Sequence, residues 1–355
     1  MSGNVEAFVG AEPPPPHLAI DAERLKAWIA GRLPGFEGEI GIAKFKGGQS
    51  NPTYRIDTAK GAYVLRRKPP GKLVATAHAI DREFRVLSAL SDSGVPIPRA
   101  HLYCQDEGVI GSQFYIVDAV AGEVPWRADL PDKSPDYRRA FYGDLMGVLA
   151  KIHAVDFQAV GLGDFGKTAG YTSRNLERWY GIYRNGVEAE IPVMEAVAAE
   201  LRARMPADEP ISLVHGDYGC HNVIAAPQAP RVAAVLDWEM ATLGNPLIDL
   251  AHTLRPWLEP YDEKALRPSL LGRDLKALGI PTLEEAIAIY EAAGGPAWRD
   301  GDFYLAFAMF RYACMVQSVL KRAADGTAAN KVIPHTPAKV VALAETARGL
   351  LEGAR

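Results

Sequence analysis

The densest chemistry in the chain lies in Leu213-Val214-His215-Gly216-Asp217-Tyr218-Gly219-Cys220-His221-Asn222-Val223-Ile224, followed at short range by Val235-Leu236-Asp237-Trp238-Glu239. Asp217 and Asn222 stand five residues apart across a turn containing Gly219, and Asp237 ends a second apolar run. If that run pairs with Val223-Ile224 as a hairpin turning through Pro227 to Pro230, the three oxygen-bearing groups converge. Phosphoryl transfer to a hydroxyl needs this set. Magnesium is a hard cation that prefers carboxylate and amide oxygens and bridges nucleotide phosphates, a role that Asn222 and Asp237 fit. A third carboxylate, off the metal, receives the proton of the attacking hydroxyl, and Asp217 fits that one. Singly, each would be an ordinary turn residue or cap. Their joint placement beside apolar strands carries the catalytic reading.

With Gly244-Asn245-Pro246-Leu247-Ile248-Asp249-Leu250-Ala251 added, this pattern resembles the aminoglycoside phosphotransferase and choline kinase-like family. The likeness runs from Gly47-Gly48-Gln49-Ser50-Asn51 through Tyr63-Val64-Leu65-Arg66 and Arg82-Glu83-Phe84 to the C-terminal helices. It implies an α+β, protein-kinase-like bilobal fold, with a small antiparallel sheet in one lobe and a mainly helical second lobe. The implied activity is that of an ATP- and Mg2+-dependent kinase with an alcohol group as acceptor. By the same resemblance, Gly47, Gly48, Gln49, Ser50 and Asn51 cover the ATP phosphates, and Glu83 orients the basic residue of the third strand. Phe114 to Ala119 form the hinge strand, with Val117 and Ala119 at the adenine. Where protein kinases carry lysine this chain has Arg66, followed by Arg67 and Lys68. Arginine clamps phosphate bidentately; the departure leaves open which of the three contacts the nucleotide, with Arg66 the preferred one. The run from Tyr63 to Gly71 and the region Gly161-Leu162-Gly163-Asp164-Phe165-Gly166 resemble the kinase-like domain fused, in some proteins, to acyl-CoA dehydrogenases. That points to a hydroxyacyl acceptor or its CoA thioester; the alternative is an antibiotic, an aminoglycoside or a macrolide.

The elements that must position these groups follow from periodicity. Residues 1 to 17 end in Pro13-Pro14-Pro15-Pro16 and read as a disordered leader, residues 18–121 as a nucleotide-binding lobe, and 122–355 as the catalytic and acceptor lobe. A helix capped by Asp21 carries Leu25, Trp28, Ile29 and Leu33. Ile40, Ile42 and Phe45, then Tyr54 and Ile56, then Tyr63 to Leu65 read as three strands, the last two joined at Ala59-Lys60-Gly61. Asp81 to Leu87 sit in a helix, and Phe114 to Val117 form a further strand. From about residue 136 the pattern is mostly helical, over Tyr137 to His153, Leu176 to Tyr183, Ile191 to Met205, Leu283 to Ala293, Phe303 to Ala323 and Ala338 to Leu351.

Several conspicuous residues have blander assignments. His215 is expected to shape the catalytic turn, and Asp249 to brace that loop from below as a buried carboxylate. Gly161 to Gly166 match G-x-G-x-x-G and contain Asp-Phe-Gly, yet follow a helix and precede the catalytic loop, so both matches are decoys. His153 reads as a core histidine. Arg311, inside the helical aromatic stripe Phe303, Tyr304, Phe307, Phe310 and Tyr312, either pairs with a buried carboxylate or faces the acceptor. Two weaker readings are a metallohydrolase built on His215, Asp217, His221 and Asp237, and a catalytically silent nucleotide-binding protein.

The bulk properties exclude other classes. Among 355 residues, 39 lysines and arginines against 43 aspartates and glutamates leave a charge of −4 with no like-charged block, which argues against nucleic acid and for a small-molecule partner. The three cysteines form no C-x-x-C pair, as expected of a reducing cytoplasm rather than a disulfide framework. The opening residues show neither a basic region nor an apolar run, so no secretory signal or membrane anchor is expected. A symmetric dimer is the base-rate expectation for assembly. Acceptor-facing candidates point both ways: Glu259, Asp262 and Glu263 are acidic, Arg174, Arg178, Arg255 and Arg311 basic.

Overall fold

Alternation of apolar and polar residues builds the strands β1 (Ala11–Glu12), β2 (Gly41–Phe45), β3 (Thr53–Thr58), β4 (Gly61–Arg67), β5 (Ala100–Cys104) and β6 (Phe114–Asp118). They pair antiparallel in the order β1-β2-β3-β4-β6-β5. The fold is a computed structural model that describes residues 9–33, 36–46, 51–69, 80–207, 209–260, 268–326 and 336–353. It divides into two units, Asn4–Glu123 with Ala233–Glu239, and Val124–Val232 with Met240–Arg355.

In the strand-rich unit, the helix α1 (Ala22–Ile29) starts at Asp21, whose carboxylate accepts from the Arg24 N–H at 3.0 Å. Its Leu25 and Ile29 join Tyr54, Ile56, Leu65, Phe114 and Ile116 in one apolar cluster, and Trp28 meets Phe114 edge-on. Helix α2 (Ile80–Ala89) lies against β5 and β6 and buries Glu83. Two boundaries differ from the sequence reading. Part of the expected disordered leader is ordered: Ala11–Glu12 pairs with Phe45 and Lys44, and Pro16–Leu18 forms a 3-10 turn. Proline suits the first position of such a turn, where its missing N–H has no partner to lose, and the Tyr54 hydroxyl donates to the Leu18 carbonyl at 2.7 Å. The segment Ala233–Glu239, assigned by sequence to the second lobe, groups with the strands because the Val235 N–H donates to the Pro96 carbonyl at 2.8 Å.

The second unit holds α3 (Pro135–His153), α4 (Tyr171–Asn185), α5 (Pro192–Ala203), the short strands β7 (Ser212–Val214) and β8 (Val223–Ala225), and the start of β9 (Val232–Val235). After them come β10 (Thr242–Gly244), α6 (Pro246–Leu254), α7 (Leu275–Leu278), α8 (Leu283–Ala292), α9 (Gly301–Ala324) and α10 (Pro337–Leu351). β7 and β10 pair antiparallel with Val214 opposite Thr242, which fixes the backbone entering the turn that starts at His215. Helix α6 begins at once after β10: the Asn245 side chain caps it by accepting the Leu247 N–H at 2.9 Å, and Pro246 takes the first helical position. Sequence periodicity missed α6 because all nine of its residues are buried and no polar face marks its period. Helix α9 is long and apolar enough to cross a membrane, yet 67% of its most apolar window is buried, against α10, α4 and α6.

Candidate active site

The turn from His215 to Asn222 is held from three directions, all within the helical unit. β7 delivers the chain to His215, and Gly216 follows at φ +84, where an added Cβ would lie 2.8 Å from the Met240 carbonyl oxygen. Asp249, on the first turn of α6, accepts the N–H groups of His215 at 2.7 Å and Gly216 at 2.9 Å. Behind it stands His153, which donates from Nε2 to Asp249 at 3.2 Å and accepts from the Tyr290 hydroxyl at 2.6 Å. Burial opposes ionisation of Asp249, but His153 and the His215 N–H hold its pKa down at about 2. His215 is fully buried, and its Nδ1 accepts the Asp217 N–H at 3.2 Å. Both Asp249 and His153, the latter given no role by sequence, thus define the backbone path into Asp217.

Asp217 presents a carboxylate whose side chain is 31% exposed and whose two oxygens have different partners. The His252 Nε2 donates to Oδ1 at 2.8 Å. The Asn222 amide donates to Oδ2 at 3.0 Å and to the Asp217 carbonyl at 2.8 Å, from a 3-10 turn spanning Cys220–Asn222. The His221 Nε2 lies 3.5 Å from the same Oδ2. Burial works to raise the Asp217 pKa, but His221 and His252 outweigh it and keep the carboxyl well below the usual range. His252 itself is driven down to about 4 by burial and then by the charge of Arg311, so its ring is a neutral donor near pH 7. Arg311 takes neither role expected of it: 2% exposed, it donates to the Gly216 carbonyl, with its guanidinium 5.1 Å from the Trp179 ring centre. Sequence reasoning did not single out His252, which the structure places against Asp217; its spacing of three from Asp249 on one helix face is the signal that points to it.

The strand-rich unit carries the second constellation. β4 alternates so that Arg66 and Arg67 leave opposite faces. Arg66 Nε lies 3.0 Å from Glu83 on α2, and its Nη2 lies 2.6 Å from Asp237 and 3.4 Å from Glu239. Arg67 instead donates to the Ile110 carbonyl at 3.2 Å and stacks over Tyr54, a structural role. Burial pushes Glu83 up to about 7 against the pull of Arg66, with Asp237 and Glu239 adding to the rise. One guanidinium does not neutralise three carboxylates, and the deepest bears the cost. Asp237 sits in the left-handed region at φ +63, a strained setting for a residue other than glycine, between the end of β9 and the buried Trp238. Asn51 is buried and donates to Glu239 at 3.4 Å, while its Oδ1 has no hydrogen-bond partner. Val117 pairs with Val64 in the sheet, and the Ala119 N–H donates to the Ala62 carbonyl at 3.3 Å. Gly47, Gly48, Gln49 and Ser50 lie outside the described residues.

The decoy glycine run behaves as packing: Leu162 and Phe165 are buried, and a Cβ on Gly166 would lie 2.9 Å from the Leu243 nitrogen. Among the described residues no group of three or more His, Cys, Asp or Glu side chains is arranged to hold a metal. A cavity of about 300 Å3 opens elsewhere in the helical unit, lined by Trp257, Leu258, Leu270, Leu271 and Leu283 among others, and none of the sequence-predicted site residues borders it.

Residues 41–304 match the phosphotransferase enzyme family. Acyl-CoA dehydrogenase family member 10 of Mus musculus is 37% identical over 332 residues, covering 93% of this chain but only 31% of that protein. The chain thus spans about a third of the length of this relative. A Ralstonia eutropha JMP134 structure, provisionally assigned as an aminoglycoside phosphotransferase, shares 38% identity and a TM-score of 0.85 over 95% of this chain and 100% of its own. Choline kinase from Cryptosporidium parvum Iowa II, at 10% identity, shares the fold with a TM-score of 0.62 over 94% of each chain. The α+β, kinase-like fold and the match over most of its length make this chain a member of the phosphotransferase enzyme family, a small-molecule kinase with a hydroxyl acceptor.

Proposed function

We propose that the chain transfers the γ-phosphate of ATP to the hydroxyl of an acyl substrate, a hydroxy acid or its CoA thioester, with Asp217 as the base. The observation that carries this reading is the Asp217 carboxylate, ionised, part-exposed, and fixed between His252 and Asn222. A weakly basic carboxylate suits a loose phosphoryl-transfer transition state, in which the hydroxyl proton leaves late and orientation matters more than base strength. Oδ2, the oxygen not held by His252, takes that proton.

In the strand-rich unit Arg66, anchored by Glu83, presents a guanidinium suited to phosphate oxygens, and Val117 lies on, and Ala119 just beyond, the strand expected to meet adenine. Asn51 carries the one unpartnered oxygen of the expected phosphate loop that the described residues include. Asn222 and Asp237 are the oxygen-bearing candidates for magnesium, and both side chains suit a hard cation. Bound magnesium supplies charge neutralisation at the phosphate oxygens. The three cysteines are free thiols, which supports a reducing cytoplasm as the working compartment.

Two observations favour the acyl acceptor over an antibiotic. The sequence relatives bear the acyl-CoA dehydrogenase name, and Glu259, a candidate acidic contact for a polycation, is already neutralised by Lys339 at 2.7 Å. The test is a phosphate-transfer screen with ATP and Mg2+, offering hydroxyacyl-CoAs and free hydroxy acids beside aminoglycosides and macrolides. Phosphorylation of a hydroxyacyl compound is expected; antibiotic phosphorylation without hydroxyacyl turnover overturns the acceptor assignment.

A further inference from the structure

Arg255 ends α6 and opens a 3-10 turn, Arg255–Trp257, three residues beyond His252 and so on the same helical face. It is 8% exposed, and its guanidinium lies 3.6 Å from the Tyr312 ring centre. Its Nε is buried without a hydrogen-bond partner, and among the described residues no acceptor takes a hydrogen bond from this side chain. Among the described residues the nearest carboxylate is Glu259, 3.8 Å from Nε and too far to accept a hydrogen bond. Glu259 is committed elsewhere: its Oε1 lies 2.7 Å from Lys339 Nζ. Burial opposes the charge on Lys339, but Tyr312 and Glu259 raise its pKa, so it remains a cation. Among the described residues, buried Arg255 and part-buried Lys339 therefore share one buried carboxylate, Glu259. A poorly compensated charge and an unused donor in the interior each cost free energy, and an oxyanion bound at the guanidinium would offset both.

We propose that Arg255, with Lys339 behind it, is the receptor for a fixed negative charge on the phosphate acceptor, a carboxylate or a phosphate group. The anion completes the guanidinium one helical turn from His252 and so brings the acceptor hydroxyl to Asp217. Arginine stacked on an aromatic ring is preorganised for planar or tetrahedral oxyanions, since the ring fixes its plane while its edge donors stay free. Trp257, on the turn that Arg255 opens, and Leu258 just after it line a mainly apolar cavity of about 300 Å3 that Arg255 itself does not border, room for a hydrocarbon chain near the proposed anion site. This assignment rests on the phosphotransferase reading of the site, and it excludes polycationic acceptors by charge.

The test uses probes that bind without reacting. Octanoate and octanoyl-CoA, which lack the hydroxyl, are titrated into the full chain by calorimetry, with uncharged octanamide as the control. Tight binding of octanoate assigns the site to a carboxylate, and binding of octanoyl-CoA alone assigns it to the CoA phosphates. Arg255→Met is expected to weaken the anionic probe at least tenfold, Arg255→Lys to recover part of that, and Lys339→Met to weaken it less. Asp217→Asn is expected to bind the same probe as wild type does, which separates this site from the catalytic assignment. ATP affinity equal to that of wild type verifies that each variant is folded. Octanamide binding as tightly as the anions, equal affinity in Arg255→Met, or no binding of either anion overturns the proposal. Loss of all kinase activity with the Arg255-dependent binding intact would instead count against the function alone.

Discussion

The His252 Nε2 lies 2.8 Å from Oδ1 of Asp217, and the ring is held neutral with its pKa at about 4. As the pH falls through 6.5 the unfolded chain protonates this histidine while the folded chain does not, so stability present above that value is lost on acidification toward 4. The loss between about pH 7.5 and pH 5 is roughly 2 kcal/mol. His252→Gln is expected to flatten that limb of the stability curve, as read by urea unfolding at the two pH values. An unchanged slope would remove the neutral-donor assignment.

Asp249 braces the turn that carries Asp217, and its two N–H contacts require acceptor oxygens on both sides. In Asp249→Asn one oxygen becomes an NH2 group facing a buried donor, a cost of roughly 2–4 kcal/mol. Denaturant unfolding should show that loss, and kcat should fall because the backbone entering Asp217 is no longer fixed. Wild-type stability in Asp249→Asn would contradict the brace.

Arg66 and Glu83 form the most deeply buried ion pair among the described residues of the strand-rich unit. Arg66→Met leaves Glu83 buried beside two other carboxylates and is expected to cost roughly 3–5 kcal/mol. Arg66→Met combined with Glu83→Gln should recover a large part of it, giving a coupling of roughly 1–3 kcal/mol in a double-mutant cycle. Additive single-mutant effects would show that the pair is not an energetic unit. Arg67→Met should lose stability through its contacts with Ile110 and Tyr54 without changing nucleotide affinity.

What the sequence made legible was the chemistry that depends on local spacing. Asp217 and Asn222 meet because five residues and a 3-10 turn fold them together, and the alternation of β4 separates Arg66 from Arg67. The α+β class was likewise readable from periods of two giving way to 3.6. What was not readable depends on contacts between distant segments. His252 reaches Asp217 only because α6 is buried on all sides, and that erases the amphipathic pattern by which the helix would have been found. Arg311 could not be assigned since its partner is a backbone carbonyl, a group that every residue possesses. Ala11–Glu12 joins the sheet through backbone pairing that its side chains do not announce.

The central claim is that Asp217 is the base of phosphoryl transfer, held ionised between His252 and Asn222. Its most direct test is a comparison of wild type and Asp217→Asn for γ-phosphate transfer from ATP and, separately, for nucleotide affinity by calorimetry. Transfer should fall by at least ~100-fold in the variant, the usual scale of general-base catalysis, with nucleotide affinity unchanged. Equal turnover in the two proteins would contradict the assignment.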